Sequence, residues 1–256
     1  MAAAAVRRIA ILSYHGLDDS GSVLSVAPRV FAEQMRVLRD LPARVVSLDE
    51  IERALTGKSA GDDLIAITFD DGFRSVLEHA YPVLTGYGFP ATVFLVTDYC
   101  GGTNEWPGQP GWAPRARLLH WAEVREMTAG GIAFGSHTRT HPDLRRVTAT
   151  QAREELAGSR KAIEDAVGRR VTALAYPYGT FDPSVRQLAE EEYTVACSTD
   201  LRFVRLGADP LALPRLDAHY LRRPAIFGGL LGPSASGYLT VRRWLRDTRR
   251  RLAWAW

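Results

Sequence analysis

Leu64-Ile65-Ala66-Ile67-Thr68-Phe69-Asp70-Asp71-Gly72 runs from an apolar stretch straight into two adjacent carboxylates and a glycine. A short apolar run closed by a turn signal reads as a buried strand. In a parallel α/β protein, the C-terminal end of such a strand is where ligands and catalytic groups gather. Asp70 and Asp71 can there act as a base and a metal ligand. The plainer reading, an acidic turn or a helix N-cap pair, fits the same residues.

Two further clusters follow strand-like pieces. Gly135-Ser136-His137-Thr138-Arg139-Thr140-His141-Pro142 comes directly after Ile132-Ala133-Phe134. Histidines four apart share one face of a helical turn, and neutral imidazoles are good ligands for zinc and neighbouring divalent metals. A pair of surface histidines is the alternative. The third cluster, Ala173-Leu174-Ala175-Tyr176-Pro177-Tyr178-Gly179, ends in a rigid proline-aromatic-glycine loop. Polar clusters at three successive strand ends, in a chain with only six histidines, point to one site.

The pattern between these clusters alternates strands and helices, as a parallel sheet with crossovers requires. Strands are expected over residues 9–13, 44–47, 64–69, 92–96, 132–134, 173–176 and 194–197. Helices are expected over 29–41, 48–55, 74–86, 121–129, 150–167 and 183–191. The 256-residue chain has ordinary apolar and charged fractions and no repeats, which suits one catalytic domain over residues 1–222. Residues 223–256 form an extension whose last fifteen residues crowd Arg242, Arg243, Arg246, Arg249, Arg250 and Arg251 against a single acid, Asp247, while Trp244, Leu245, Leu252, Trp254 and Trp256 supply apolar surface. Such a basic amphipathic tail suits an anionic membrane or a partner, or simply a solvated helix docked by its tryptophans.

Cys100 and Cys197 make no disulfide framework and no metal-type spacing. The stretch from Met1 to Arg8 carries its charges after the small apolar run, unlike a secretory signal, and no run of apolar residues is long enough to span a bilayer. A cytoplasmic protein, at most peripheral at the inner membrane face, is therefore expected. The glycine-, proline- and tryptophan-rich loop over residues 101–114 is long for a compact domain. Trp106 and Trp112 in it suit a sugar-stacking lid or hydrophobic anchors for the loop.

The ordered motifs TFDDG, SHTxxH and YPYG, with His141-Pro142-Asp143-Leu144 and the helical segment leading to Gly168, resemble the polysaccharide deacetylase family. This is the NodB-homology domain, or carbohydrate esterase family four. The likeness is densest over residues 64–197 and thins to Ser13-Tyr14-His15 and Leu213-Pro214-Arg215, which resemble the subgroup with a YPYG third motif. It implies an α/β fold, a distorted (β/α) barrel with fewer than eight parallel strands. It also implies one divalent cation, zinc or else cobalt, nickel or manganese, on Asp71, His137 and His141. Asp70 would be the general base, and Pro177 and Tyr178 would contact substrate, the backbone N–H of Tyr178 facing a developing oxyanion. The reaction implied is hydrolysis of an N-acetyl group on an amino sugar.

The chain departs from the family's commonest pattern in three places. Ala175 stands where an arginine usually orients the base, and Arg215 is the candidate replacement, since a guanidinium can hold a carboxylate bidentately. An aspartate-tryptophan motif and a leucine-framed C-terminal histidine are both missing. His15, at the end of the first strand, is preferred over His219 as general acid. His79 and His120 receive no role. Beside the deacetylase, the motifs admit a deformylase of a lipid-linked amino sugar, a cyclic imide or ureide hydrolase, or a non-catalytic carbohydrate-binding relative. Nucleic-acid binding is not expected, because the arginine-rich tail lacks aromatics interleaved on a groove-sized surface.

Overall fold

The computed structural model describes residues 8–55 and 62–253. The alanine-rich stretch before Arg8, and Trp254 and Trp256 of the tail, lie outside the described residues. The strands in chain order are β1 (Ile9–Tyr14), β2 (Gly16–Leu17), β3 (Ser25–Val26), β4 (Ala43–Val45) and β5 (Asp63–Phe69). They continue with β6 (Thr92–Leu95), β7 (Ala133–Ser136), β8 (Ala173–Ala175), β9 (Val195–Cys197) and β10 (Leu216–Asp217). The helices are α1 (Pro28–Asp40), α2 (Leu48–Leu55), α3 (Tyr81–Tyr87) and α4 (Trp121–Ala129). After them come α5 (Ala149–Val167), α6 (Pro183–Glu192), α7 (Pro224–Gly228) and α8 (Pro233–Ala253).

Seven parallel strands follow one another in the order β10-β1-β5-β6-β7-β8-β9, with β4 paired to the first half of β5 and β2 with β3 forming a separate pair. The sheet curls until its two edges share one segment. Leu213 bridges in parallel to Cys197 at the end of β9, while Leu216 and Asp217 pair with β1. This is the distorted barrel with fewer than eight strands in its circuit.

Period-two alternation sorts the strand residues between two cores. Ile9, Ile11, Leu64, Ala66, Phe94, Ala173, Ala175, Val195, Cys197 and Leu213 cluster inside the barrel, where Leu48, Ile51 and Leu55 of α2 join them. Ala10, Leu12, Ile65, Ile67, Phe69 and Leu174 belong to the larger core beneath the other helices. The inward set on β5, Leu64 and Ala66, continues to Thr68 and Asp70. That on β1, Ile9 and Ile11, continues to Ser13 and His15. The alternation that fills the barrel thus delivers polar side chains to its mouth.

Most element boundaries agree with those expected, and the largest difference has a physical cause. Residues 74–86 do not form one α-helix: Val76–Ala80 is a wider π turn leading into α3. Pro82 lacks the N–H an α-helix would bond to residue 78, and a wider turn relieves the clash of its ring. In β7 the strand starts one residue later than expected and runs on to Ser136. Cys100 and Cys197 are free, and burial pushes both thiols up to about 12, leaving them protonated at neutral pH. Among the described residues, no helix is long and apolar enough to cross a membrane.

Candidate metal centre

β5 ends in a backbone that turns sharply. Asp70 N–H donates to Tyr14 O (2.9 Å), and Asp71 and Gly72 then take φ of 69° and 70°. A Cβ at Gly72 would come within 2.7 Å of the Leu95 side chain, so both its space and its left-handed backbone call for glycine. The turn sends the two carboxylates different ways. Asp70 stays on the inward register of β5, while Asp71 swings toward the loop after β7.

The two histidines meet without a helix. Contrary to the helical-turn reading of their spacing, residues 137–143 are an irregular loop in which Thr138 and His141 have φ of 69° and 61°. Among the described residues, the non-glycine residues of positive φ, Asp71, Thr138, His141 and Tyr178, all lie at this site, and left-handed backbone is costly for such residues. Hydrogen bonds hold the loop in this shape. His141 N–H donates to Thr138 Oγ1 (3.0 Å), and Thr138 N–H donates to Ser136 Oγ (3.0 Å). Glu155 on α5 accepts from the backbone N–H of Arg139 and Thr140 and from the Thr140 hydroxyl.

Asp71, His137 and His141 are buried, and one ligand atom from each lies within 4.8 Å of the others. His137 Nε2 and His141 Nε2 stand 3.5 and 3.7 Å from Asp71 Oδ1. Ligands about 2.1 Å from one tetrahedral ion sit roughly 3.4 Å apart, so the spacing suits a shared cation. His137 Nδ1 lies 2.7 Å from Ala175 O, and donation there leaves Nε2 as the lone-pair atom facing Asp71. Burial, helped by His137, lowers the His141 pKa, so its imidazole is neutral as ligation requires. Burial also raises the Asp71 carboxyl, with the Asp70 charge adding to it and the nearby histidines and Arg215 opposing. A divalent cation would supply the positive charge this carboxylate lacks, and the donor set fits one.

Arg215 meets Asp70 inside the barrel, 145 residues away in the chain. Its guanidinium grips the carboxylate bidentately, Nη1 to Oδ1 at 2.6 Å and Nη2 to Oδ2 at 2.7 Å, with Nε donating to Ser198 O. Only 1% of Arg215 is exposed, close to Cys197 and 5.8 Å from the Phe94 ring centre. Burial alone would raise the Asp70 carboxyl, but Arg215, with His137 and His15, outweighs it and holds the group well below the usual carboxylate range. His15 Nε2 lies 3.8 Å from Asp70 Oδ2.

Asp70, Asp71, His137, His141 and His15 line one cleft of about 600 Å³. Tyr178 lines it from a turn with φ of 58°, and its backbone N–H finds no acceptor among the described residues. Pro177 is buried behind it. The two loop tryptophans divide. Trp106 is buried with its ring 4.7 Å from that of His141, while Trp112 is 63% exposed and keeps an open face at the cleft. His219 also lines the cleft, so the two histidines considered as acid share it.

The shaping roles of Thr138 and Glu155 are not visible in the sequence reading. The signal for Glu155 is an acid on the α5 face that also buries Ala152, Leu156 and Ser159. Thr138→Ala removes the acceptor of His141 N–H. It is expected to weaken divalent-metal affinity by roughly tenfold to a hundredfold, measured by competition with a chromogenic chelator, and unchanged affinity would show that the loop holds without it.

Fold and site together define a class: an α/β barrel with a candidate divalent-cation site beside an arginine-held carboxylate. Residues 57–195, more than half of the chain, match the polysaccharide deacetylase family, and the chain belongs to that family. It is 28% identical over 235 residues to YxkH of Bacillus subtilis strain 168, a protein named for the same family, covering 91% of this chain and 76% of the relative. It is 25% identical over 202 residues to the poly-beta-1,6-N-acetyl-D-glucosamine N-deacetylase of Staphylococcus epidermidis, covering 75% of this chain and 67% of that one. Among solved structures it is similar to the Streptococcus pyogenes deacetylase PplD in complex with acetate, at 26% identity and a TM-score of 0.71, covering 82% and 92% of the two chains.

Proposed function

We propose that the protein is a metal-dependent N-deacetylase that removes the acetyl group from an N-acetylated amino sugar, free or within a glycan or glycoconjugate. The observation that carries this reading is the convergence of Asp71, His137 and His141 beside the Arg215-held Asp70 in one cleft. Membership of the family and the N-deacetylase relative support it. A divalent cation bound by the triad would supply Lewis-acid polarisation of the amide carbonyl and make water a better nucleophile.

The chain's own residues do the rest. Asp70, fixed and ionised by Arg215, takes the proton of the attacking water as the C–O bond forms. The Tyr178 N–H donates to the oxygen that gains negative charge. His15, close to Asp70 on the same mouth of the barrel, gives a proton to the nitrogen as the C–N bond breaks, leaving acetate and an amine. Trp112 offers a face for a sugar ring.

Acetate and formate release from N-acylated free sugars, chitin oligomers, nucleotide sugars and glycosides tests the reading. Chelator-sensitive acetate release is expected. Formate release, or no product from a metal-loaded protein, would move the assignment to another amide hydrolase on this scaffold.

Val241, Trp244 and Leu245, spaced one turn apart on α8, are exposed beside Arg243. They favour peripheral binding to an anionic membrane. Trp244→Ser with Val241→Ser is expected to reduce co-sedimentation with anionic liposomes several-fold, and undiminished co-sedimentation would leave no role for this face in membranes.

A further inference from the structure

The cleft that holds the metal triad has a second polar wall, made by Arg242 and Arg246 of α8 with His219 and Tyr220. Arg242 Nε donates to Tyr238 Oη (3.1 Å), and its guanidinium lies 5.3 and 5.8 Å from the ring centres of Tyr238 and Tyr220. Aromatic faces orient this cation, and among the described residues it makes no ion pair. Arg246 donates from Nη1 to Thr199 O (2.6 Å). Its nearest acid is Asp247, 3.5 Å from Nε.

Buried polar atoms without a hydrogen-bond partner gather here. Of eight such atoms among the described residues, five belong to residues lining this cleft: Trp106 Nε1, Gln109 Nε2, His141 Nδ1, His219 Nδ1 and Arg246 Nε. The indole, amide and guanidinium nitrogens can only donate, so this wall is short of acceptors. Sugar hydroxyls accept hydrogen bonds but carry no charge for the arginines. Of the acids nearby, Asp70 is held by Arg215 and Asp71 belongs to the triad, while Asp217 accepts from His219 N–H through Oδ1 and Asp247 lies beside Arg246 on the half-exposed side of the helix.

We propose that Arg242 and Arg246 form a specificity subsite for an anionic group, a phosphate or a carboxylate, carried by the amino-sugar substrate. This rests on the deacetylase reading above. Guanidinium groups bind either oxyanion bidentately, and two of them in a partly enclosed cleft select for it strongly.

The test compares kcat/KM of the metal-loaded protein on methyl N-acetylglucosaminide, N-acetylglucosamine 1-phosphate, a nucleotide-linked N-acetylglucosamine and N-acetylmuramic acid. At least one anionic substrate is expected to exceed the neutral one tenfold or more, and the three anions tell phosphomonoester, diphosphate and carboxylate apart. In Arg242→Gln/Arg246→Gln the ratio should fall to near one. Arg246→Lys should keep part of it, and Arg242→Gln alone, which leaves the Thr199 contact intact, should lose several-fold. Equal rates on neutral and anionic substrates in the unaltered protein, or a ratio that survives the double substitution, would overturn the subsite while leaving the deacetylase standing. If no substrate yields acetate, the deacetylase reading fails separately, and calorimetric titration with glucosamine 1-phosphate reads the subsite directly. Binding weakened tenfold by the double substitution supports it; absent or unaltered binding overturns it.

Discussion

Asp70→Asn is expected to bind its divalent ion as the unaltered protein does and to lose roughly a hundredfold to ten-thousandfold in kcat, the usual worth of a general base. Asp71→Ala is expected to lose both the ion and the activity. The difference follows from where the β5 turn sends each side chain. Asp71 faces His137 and His141 across 3.5 and 3.7 Å, whereas both Asp70 oxygens lie on the guanidinium of Arg215. An asparagine at position 70 keeps shape and one acceptor but cannot take a proton from water. It also leaves Arg215 short of its counter-charge, so turnover and ion binding are compared well below the lowered melting temperature. Near-normal turnover in Asp70→Asn, or a retained ion in Asp71→Ala, would sink this division of roles.

Arg215→Met carries the largest expected effect on stability. It strands a buried carboxylate, and breaking a buried pair from one side costs about 3–5 kcal/mol. With the guanidinium gone, burial dominates and the Asp70 carboxyl rises, so the acid limb of the rate profile moves toward neutral pH. The sign of the stability effect with pH is definite. A carboxyl held low in the folded state contributes its full stability above the unfolded value of about 3.9 and loses it as pH falls below that. The gap in unfolding free energy between the two proteins is therefore expected to be widest near neutrality and to narrow as pH falls, first as the raised Asp70 carboxyl of the variant takes up its proton and further below about pH 4 as the unaltered protein loses its pairing. A constant gap down to strongly acid pH, measured by denaturant titration, would contradict the pairing. Asp70→Leu in the Arg215→Met background should recover part of the stability and none of the activity, since a buried pair can be replaced by apolar groups at little cost.

The parts of the fold that repeat were legible in the sequence. β5 and β1 show as short apolar runs, and the spans of α2 and α4 come out as expected from apolar spacing and flanking residues. The three polar clusters at strand ends pointed to one site because parallel strands bring their C-terminal ends together. What was not legible depends on backbone or on closure. Thr138 and His141 adopt left-handed φ without being glycine, so their spacing suggested a helix that the loop does not form. Only the return of residues 213–217 between β9 and β1 places Arg215 against Asp70, so Asp70 keeps a guanidinium partner although position 175 is alanine. Trp106 and Trp112 read alike in one loop, yet one is buried against His141 and the other keeps an open face. The approach of α8 to the cleft has no local signature, because its contacts with Thr199 and Tyr220 arise in the folded chain.

If one divalent ion on Asp71, His137 and His141 makes this barrel an amide hydrolase, activity must follow occupancy of that site. The most direct test is to strip the protein with a chelator, restore zinc, cobalt, nickel or manganese in measured steps, and follow bound metal and acetate release together. The structure predicts one ion per chain, with activity rising in proportion to occupancy. Acetate release that persists in the metal-free protein would contradict it.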